Sequence, residues 1–456
     1  MKKTHHLTDM EMAIQLATEV EKLGGTAYFV GGYVRDLLAG NDTKDLDIEV
    51  HGLTPAQLGH ILDTLGSKLS IGESFGVYGL KGYNIDIAMP RKETARGKGH
   101  CGHKDFDIIV DPNCGTYQAA LRRDFTINAM MKNILTGEII DHFHGQNDLA
   151  NGIIRHVNPS SFIEDPLRVL RGAQFAARFD FTIAPETIAL CKTMDLSQLP
   201  KERIMGELKK ALLKAPAPST FFKSLRQMDQ LSVWFPELKA LIGVPQPPAH
   251  HAEGDAWTHT MMVLDQAVHL RQYSSNPLGF MFTAITHDFG KSICTKEIKG
   301  TIHAYKHETL GLPLIDTFMH RLTSEKDLIR YVLNLSEHHM KPGVVAGAGS
   351  SVKSTNKMFD ASVDPKGLLA ISIADGLGKL PQVPASTHQA FFEERLAIYT
   401  DYMSRPYVQG RDLINAGLTP GENFTEYLAL AHKLRLAGID TNSALKQVLA
   451  LARKKK

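Results

Sequence analysis

The 456 residues suffice for two to four domains, and 43% hydrophobic with 22% charged residues excludes a disordered chain. A net charge of +2 (51 basic less 49 acidic) neither demands nor excludes a nucleic-acid partner, because a local basic patch disappears in the total. No segment has the length and apolarity to span a bilayer. Asp9, Glu11, Glu19 and Glu21 interrupt any signal-peptide core, and four scattered cysteines without a Cys-x-x-Cys pattern fit a reduced, cytoplasmic protein.

In chain order, Met12, Leu16, Val20 and Leu23 have helical spacing after a cap at Thr8 or Asp9. Ala27–Val30 reads as a short strand running into Gly31-Gly32-Tyr33-Val34-Arg35-Asp36. Paired glycines allow a sharp turn and close approach of a ligand. A helix from Val34 to Leu38 behind such a turn presents free N–H groups to a phosphate, and Arg35 adds a cationic fork. Residues 45–50 then alternate, with Asp45, Asp47 and Glu49 on one strand face and Leu46, Ile48 and Val50 on the other. The bland reading is a half-buried strand with a solvated acidic face. Beside the glycine turn, the pattern favours a phosphate-and-metal site, since carboxylates two apart on one face suit Mg²⁺ with substrate phosphates.

Pro55–Leu65 reads as a helix, and Val77–Leu80 with Asn84–Ala88 as a hairpin around Gly82. That hairpin places Asp86 where it can join Asp45 and Asp47 in a two-metal site, or else leaves it at a strand end in solvent. Residues 91–105 are basic, glycine-bearing and aperiodic, and read as a mobile loop. His100, Cys101, His103 and Cys114 match no standard zinc spacing.

The stretch Leu121–Met130 carries Arg122, Arg123, Asp124 and Asn128. Arg123 can pair a triphosphate bidentately and Asn128 a ribose or phosphate; alternatively Asp124 caps a helix whose arginines lie in solvent. Next, Glu164-Asp165-Pro166-Leu167-Arg168 opens a helix with Asp165 as cap and Pro166 in the first turn. Arg168 and Arg171 share a face, offering an acceptor and donor forks to the edge of a base. Pro185–Lys192, Lys201–Leu213 and Thr220–Met228 continue as helices, with Glu202, Arg203 and Glu207 as partners among themselves.

Pro245, Pro247 and Pro248 mark a linker, after which histidines concentrate. His259 opens an apolar helix, His287-Asp288 ends another, and Asp375 closes a third. His303 and His307 follow at helical spacing, then His338-His339. A single buried histidine is usually only a hydrogen-bonded core residue. An adjacent His-Asp pair with His and Asp on flanking helices suits a divalent ion that activates water. Phe391–Lys456 reads as helices with a turn at Thr419-Pro420-Gly421 and a small basic, solvated end.

Gly31-Gly32 with Arg35-Asp36, Asp45-x-Asp47, Arg122-Arg123-Asp124 with Asn128, and Glu164-Asp165-x-x-Arg168 occur in an order that resembles the class II tRNA nucleotidyltransferase and bacterial poly(A) polymerase family. The region Trp257–Asp375 looks like the HD phosphohydrolase domain some members carry, and Gly410-Arg411-Asp412-Leu413 with Pro420-Gly421 is similar to their C-terminal region. The resemblance implies an α+β chain: a polymerase-β-like nucleotidyltransferase head (1–150), an all-helical neck (151–240), an HD domain (241–385) and a C-terminal helical region (386–456). It implies that Asp45 and Asp47 hold Mg²⁺, with Asp86 as third catalytic carboxylate. Gly32, Arg35 and Arg123 would bind the incoming triphosphate, with Asp124 and Asn128 in the same nucleotide site. Asp165, Arg168 and Arg171 would read the base of CTP or ATP. His259, His287, Asp288 and Asp375 would bind a divalent metal of unstated identity. The partners implied are a tRNA or other RNA 3′ end, ATP and CTP, with no membrane and no DNA. Gln174 departs from members with a further arginine there. CCA-adding, A-adding and poly(A)-adding members share these motifs. An RNA-binding HD phosphohydrolase with an inert head is a third reading, against which the Asp45/Asp47 pair speaks.

Overall fold

The computed structural model describes residues 7–41, 43, 45–72, 77–95 and 106–454, in two compact units, Met1–Trp234 and Phe235–Lys456.

In the first unit, α1 (Asp9–Lys22) starts at a capping box in which the Thr8 side chain accepts from the Glu11 N–H and Glu11 returns the bond. After it come β1 (Thr26–Val30), α2 (Gly32–Leu38), β2 (Leu46–His51), α3 (Pro55–Leu65), β3 (Lys68–Gly72), β4 (Val77–Leu80) and β5 (Ile85–Ala88). Two strands, β6 (Arg91–Ala95) and β7 (Phe106–Val110), precede α4 (Gly115–Leu121), and β8 (Met131–Asn133) and β9 (Ile139–Ile140) complete the sheet. Among the described residues that sheet runs β3-β4-β5-β2-β1-β8-β9. Only β2 and β5 are parallel; every other neighbouring pair in it is antiparallel. The alternation read for residues 45–50 is what the sheet uses. Leu46, Ile48 and Val50 are buried in one core with Leu16 and Val20 of α1 and Leu58 and Leu62 of α3, which leaves the acidic side chains on the opposite face.

The basic segment at 91–95 is a strand, not part of a loop. Arg91–Ala95 pairs antiparallel with Phe106–Val110 in a separate ribbon. The hydrophobic signal lies wholly in the distant partner, Phe106-Asp107-Ile108-Ile109-Val110, so local periodicity could not reveal the first strand. His100, Cys101 and His103 lie outside the described residues; Cys114 is in no disulfide among the described residues.

The helical end of this unit is built on Leu167–Phe179, which packs against Lys201–Lys214 and Ser219–Gln227. The helix begins one residue later than the expected cap: Pro166 is its N-cap, without a side-chain cap bond, and Asp165 accepts from the Leu167 N–H at 3.1 Å.

The second unit packs Ala256–Leu270 against Pro277–Thr286 and Pro365–Leu377, with Lys326–His338 behind. Two of these helices begin with an Asn or Asp cap followed by proline: Asn276 accepts from Gly279 and Asp364 from Gly367, each cap contributing about 1 kcal/mol. The spacing of His303 and His307 is not helical in the structure. His303 ends the second strand of a hairpin, Lys296–Ile298 with Thr301–His303, and His307 opens the short helix His307–Leu310. Lys299 and Gly300 both have left-handed φ values, 51° and 77°, which turn the chain back. Pro245–Pro248 belongs to this unit, with Gln246 buried. Phe424–Leu436 and Thr441–Lys454 share a small core around Tyr427, Ala431 and Val448.

Candidate active site and candidate metal centre

The head site is assembled at β1, β2 and β5. Asp47 and Asp86 are direct partners in the parallel β2–β5 ladder. Asp45 immediately precedes β2 and accepts from Asn84 Nδ2. Burial raises the pKa of Asp47; Arg123 opposes this, and the carboxylates of Asp86 and Asp45 add to it. Asp47 and Asp86 on adjacent strands, with Asp45 near enough to act on Asp47, supply the hard oxygens that a divalent cation takes. The turn between β1 and α2 lies against them. Gly31 has φ +64°, and a Cβ there would sit 3.6 Å from both Asp47 Oδ2 and Arg123 Nη1, so its conformation calls for glycine.

Glu49, also on the acidic face, is only 1% exposed. Its Oε2 accepts from Arg123 Nη2 at 2.8 Å and lies 3.6 Å from Arg122, while its Oε1 meets His51 Nε2 at 2.9 Å. Burial pushes this carboxyl up, but Arg123, His51 and Arg122 bring it down to about 2. Glu49 therefore anchors the arginine predicted to meet a triphosphate.

Arg35, Asn128, Asp124 and Arg171 form one chain. Arg35 Nη1 donates to Asn128 Oδ1 at 2.6 Å, Asn128 Nδ2 to Asp124 Oδ1 at 3.1 Å, and Arg171 Nε to Asp124 Oδ2 at 2.7 Å. The Arg35 guanidinium also donates to Asp36 at 2.7 Å and lies 4.6 Å from the Phe179 ring centroid. Arg35, Asn128 and Asp124 are each under a tenth exposed. This network ties α2 and the Thr126–Asn128 turn to the Leu167–Phe179 helix.

Asp165 receives a bidentate fork from Arg203, at 3.2 and 2.9 Å. Arg168 donates to the carbonyls of Ser161 and Arg122, both at 2.7 Å. The pairing read among Glu202, Arg203 and Glu207 is thus redirected: Arg203 goes to Asp165, and Glu207 to Lys210 at 2.9 Å and Arg171 at 3.8 Å. Asp165, Arg168, Arg171, Arg203 and Lys210 line one cavity of about 1430 Å³, which Asp45 and Asp47 also line. Gln174 also lines it, and its buried Nε2 has no hydrogen-bond partner.

The second centre lies inside the Phe235–Lys456 unit. His259 Nε2 is 3.0 Å from Asp375 Oδ1 and 3.4 Å from Asp288 Oδ2, and His287 Nε2 is 3.3 Å from the same Asp288 oxygen. The structure thus brings together all four residues predicted for a metal. His259 Nε2 and His287 Nε2 are buried without a hydrogen-bond partner. Orphaned lone pairs that converge on one point fit a divalent cation. His287 Nδ1 donates to the Ala284 carbonyl at 3.0 Å and His259 Nδ1 to that of Gly378 at 3.1 Å, which turns each Nε2 lone pair inward. Glu253 lies 3.2 Å from His259 Nδ1 and 2.7 Å from His251 Nδ1, and it was not legible in the sequence as a supporting carboxylate. Lys291 Nζ reaches Asp288 Oδ2 at 2.7 Å and Gln246 Oε1 at 2.7 Å. His307 and His339 complete the cluster; burial first, then His287 and His307, hold His339 down to about 3, a neutral imidazole.

Residues 27–155 match the poly A polymerase head domain, and residues 180–242 the probable RNA and SrmB-binding site of polymerase A. The multifunctional CCA protein of Actinobacillus pleuropneumoniae serotype 5b is 38% identical over 319 residues, 68% of this chain and 74% of the relative. The chain belongs to this family of CCA-adding tRNA nucleotidyltransferases. The multifunctional CCA protein of Pasteurella multocida is 36% identical over 405 residues, 86% of this chain and 91% of that protein. In fold, the chain is similar to the Thermotoga maritima CCA-adding enzyme complexed with tRNA, with a TM-score of 0.64 at 20% identity, over 97% of this chain and 94% of the other. Membership implies dependence on a divalent metal in the head. No described helix is long and apolar enough to cross a membrane.

Proposed function

We propose that this chain adds CMP and AMP, from CTP and ATP, to tRNA 3′ ends without a nucleic-acid template, and that its second unit hydrolyses 2′- or 3′-phosphorylated ends. The observation that carries the first part is the in-register pair Asp47 and Asp86 beneath the Gly31 turn, with Asp45 at the strand entrance. Asp45 and Asp47 would hold Mg²⁺, with Asp86 beside them. When bound, the metal lowers the pKa of the attacking 3′-hydroxyl and offsets charge on the leaving pyrophosphate.

The chain's own residues do the positioning. Arg123, held by Glu49, faces the carboxylates and is placed to take the triphosphate. Arg35 is packed by Asp36, Asn128 and Phe179, and so fixes the wall behind the glycine turn. Asp165 and Arg168 lie in the same cavity as the carboxylates and present an acceptor and a donor to the base edge. Arg203 fixes the orientation of Asp165, and two backbone carbonyls fix Arg168. Rigid donors and acceptors discriminate strongly, because a wrong base leaves them unpaired. Arg171 and Asp124 link this wall to the Thr126–Asn128 turn.

In the second unit His259, His287, Asp288 and Asp375 would hold a divalent ion that supplies a nucleophilic water near neutral pH. The setting for both activities is the cytoplasm, where tRNA and nucleotides are supplied.

The test uses purified full-length protein and a tRNA lacking its 3′-terminal nucleotides. Labelled CTP alone should be incorporated, and ATP should be incorporated once CTP is present. AMP incorporation that ignores CTP would replace CCA addition with the adenylate-only reading, and no incorporation of either nucleotide would remove the polymerising head.

A further inference from the structure

We propose that the hairpin Lys296–Ile298 with Thr301–His303, in the second unit, is a docking platform for a single-stranded RNA 3′ end. A nucleobase stacks on Tyr305, and backbone phosphates meet the lysines around it. The platform delivers that end to the neighbouring candidate metal centre, and in this it rests on the hydrolase reading.

The hairpin has two unlike faces. Its register pairs Lys296 with His303, Glu297 with Ile302 and Ile298 with Thr301. Residues directly opposite one another point to the same side, and side chains alternate along each strand. Glu297 and Ile302 therefore share one face, and Lys296, Ile298, Thr301 and His303 share the other. Ile302, with Thr295 and Ala304 just outside the strands, lines a cavity of about 190 Å³ that also opens on Asp288 and His307. One face of the hairpin thus walls the candidate metal centre, and the other turns outward.

The outward face is aromatic and cationic. The Tyr305 ring lies 4.8 Å from that of His303, centroid to centroid, with 12° between their planes. His303 covers one side of the Tyr305 ring, yet Tyr305 is still 66% exposed. Two parallel rings with an open side offer a place for a third. Lys296, Lys299 and Lys306 are exposed, with no ion pair among the described residues. None of the residues on this face is a carboxylate. Lys299 and Lys306 have φ of 51° and 61°, in the left-handed region that suits glycine or asparagine. Backbone preference does not account for lysine at either turn. Free ammonium groups around a stack of rings complement a polymer that carries both phosphates and flat bases.

The step to the centre is short. Tyr305 precedes His307 by two residues, a span of at most about 7 Å, and His307 Nε2 lies 3.2 Å from Asp288 Oδ1. A strand whose last base stacks on Tyr305 ends beside the cavity.

The test uses the full chain and an RNA strand of about eight nucleotides that ends in a 2′,3′-cyclic phosphate. With 5-iodouridine as the last base, irradiation should attach the strand to the tryptic peptide Gly300–Lys306, which holds both rings. Y305L should abolish that adduct with helical content as in wild type. In hydrolysis, wild type should show a KM about tenfold lower for an end with its base than for the same end made abasic, and Y305L should no longer distinguish the two. K296A/K299G should weaken binding of the strand and reduce the slope of log affinity against log salt by about 1.4. Its melting temperature should not fall for want of Lys299, because glycine suits that turn. An adduct without hydrolysis of either end would support the platform and remove the hydrolase reading. Hydrolysis of both ends with equal KM in wild type would overturn the platform and keep the hydrolase reading. No adduct on Gly300–Lys306 would overturn the platform whatever the hydrolysis. If Y305L then also changed the sedimentation of the chain, the face would be a contact between copies instead.

Discussion

The two units hold candidate metal ligands of different chemistry, and the surroundings follow from it. In the head, Asp45 and Asp47 line a large cavity together with several arginines, and Asp86 pairs with Asp47 on the neighbouring strand. Hard oxygen ligands bind Mg²⁺ incompletely and leave the rest of its shell to substrate phosphates. In the second unit, imidazoles and aspartates are buried at a crossing of helices, and each ring is locked by an Nδ1 bond to a carbonyl. On the proposed function, the difference lets one chain separate two phosphate chemistries by ligand type. On that reading the oxygen ligands of the head leave metal positions for a nucleotide, and the second unit supplies nitrogen ligands as well.

The largest effects should come from crossing the two centres. Asp47→Asn is expected to lower nucleotide addition at least about a thousandfold and to leave hydrolysis of a 2′,3′-cyclic end unchanged. Because burial and like charges raise the Asp47 pKa, its ionised form is disfavoured in the metal-free fold. The melting temperature of this variant without Mg²⁺ should therefore hold or rise. Asp288→Asn should do the reverse, abolishing hydrolysis and sparing addition. Loss of both activities in either variant would end the separation.

Glu49 comes next, as a stability term peculiar to the head. Its folded pKa is about 2 against an ordinary 4.5. A depressed carboxyl stabilises the fold above its unfolded pKa, and that contribution fades as pH falls from about 4.5 toward 2. The shift corresponds to about 3 kcal/mol. Denaturant melts of Glu49→Gln should show a deficit of up to that size at pH 7, shrinking toward pH 2. A deficit that does not change with pH would contradict this role.

Base choice should respond less. Asp165→Ala should reduce the preference for CTP and ATP over GTP and UTP by about ten- to a hundredfold. Arg203→Met should give a smaller loss in the same direction, because it frees Asp165 without removing it. Identical rate ratios across four nucleotides would contradict both. Smallest of all, Glu253→Gln should weaken metal binding in the second unit by about tenfold, read by competition with a chelator, through the loosened His259 ring. Nucleotide addition should not notice it.

Much of the head could be read from the chain. Gly31-Gly32, the alternation around Asp47 and the hairpin carrying Asp86 are local patterns, and local patterns survive folding. The Asp47–Asp86 register follows from hairpin geometry plus one parallel pairing. Alternation placed Glu49 on the face of Asp45 and Asp47 but could not show what covers it. The cover comes from Arg123, 74 residues away. The fork from Arg203 to Asp165 spans 38 residues and carries no periodic signal. In the second unit, His287-Asp288 stood out by adjacency. His307 and His339 were visible as histidines but not as partners of Asp288, because that depends on the Gly290–His307 backbone contact. Arg91–Ala95 was missed because its apolar complement lies in β7.

The most direct measurement sets the metal dependence of both activities side by side in the full chain. With Mg²⁺ alone, a tRNA with a free 3′-hydroxyl should gain CMP and AMP, and a tRNA ending in a 2′,3′-cyclic phosphate should stay unprocessed. Adding Mn²⁺, Co²⁺ or Ni²⁺ should start hydrolysis of the cyclic end without Mg²⁺ becoming dispensable for addition. If both activities follow one metal with one affinity, the two centres are not independent and the separation of chemistries by ligand type is wrong.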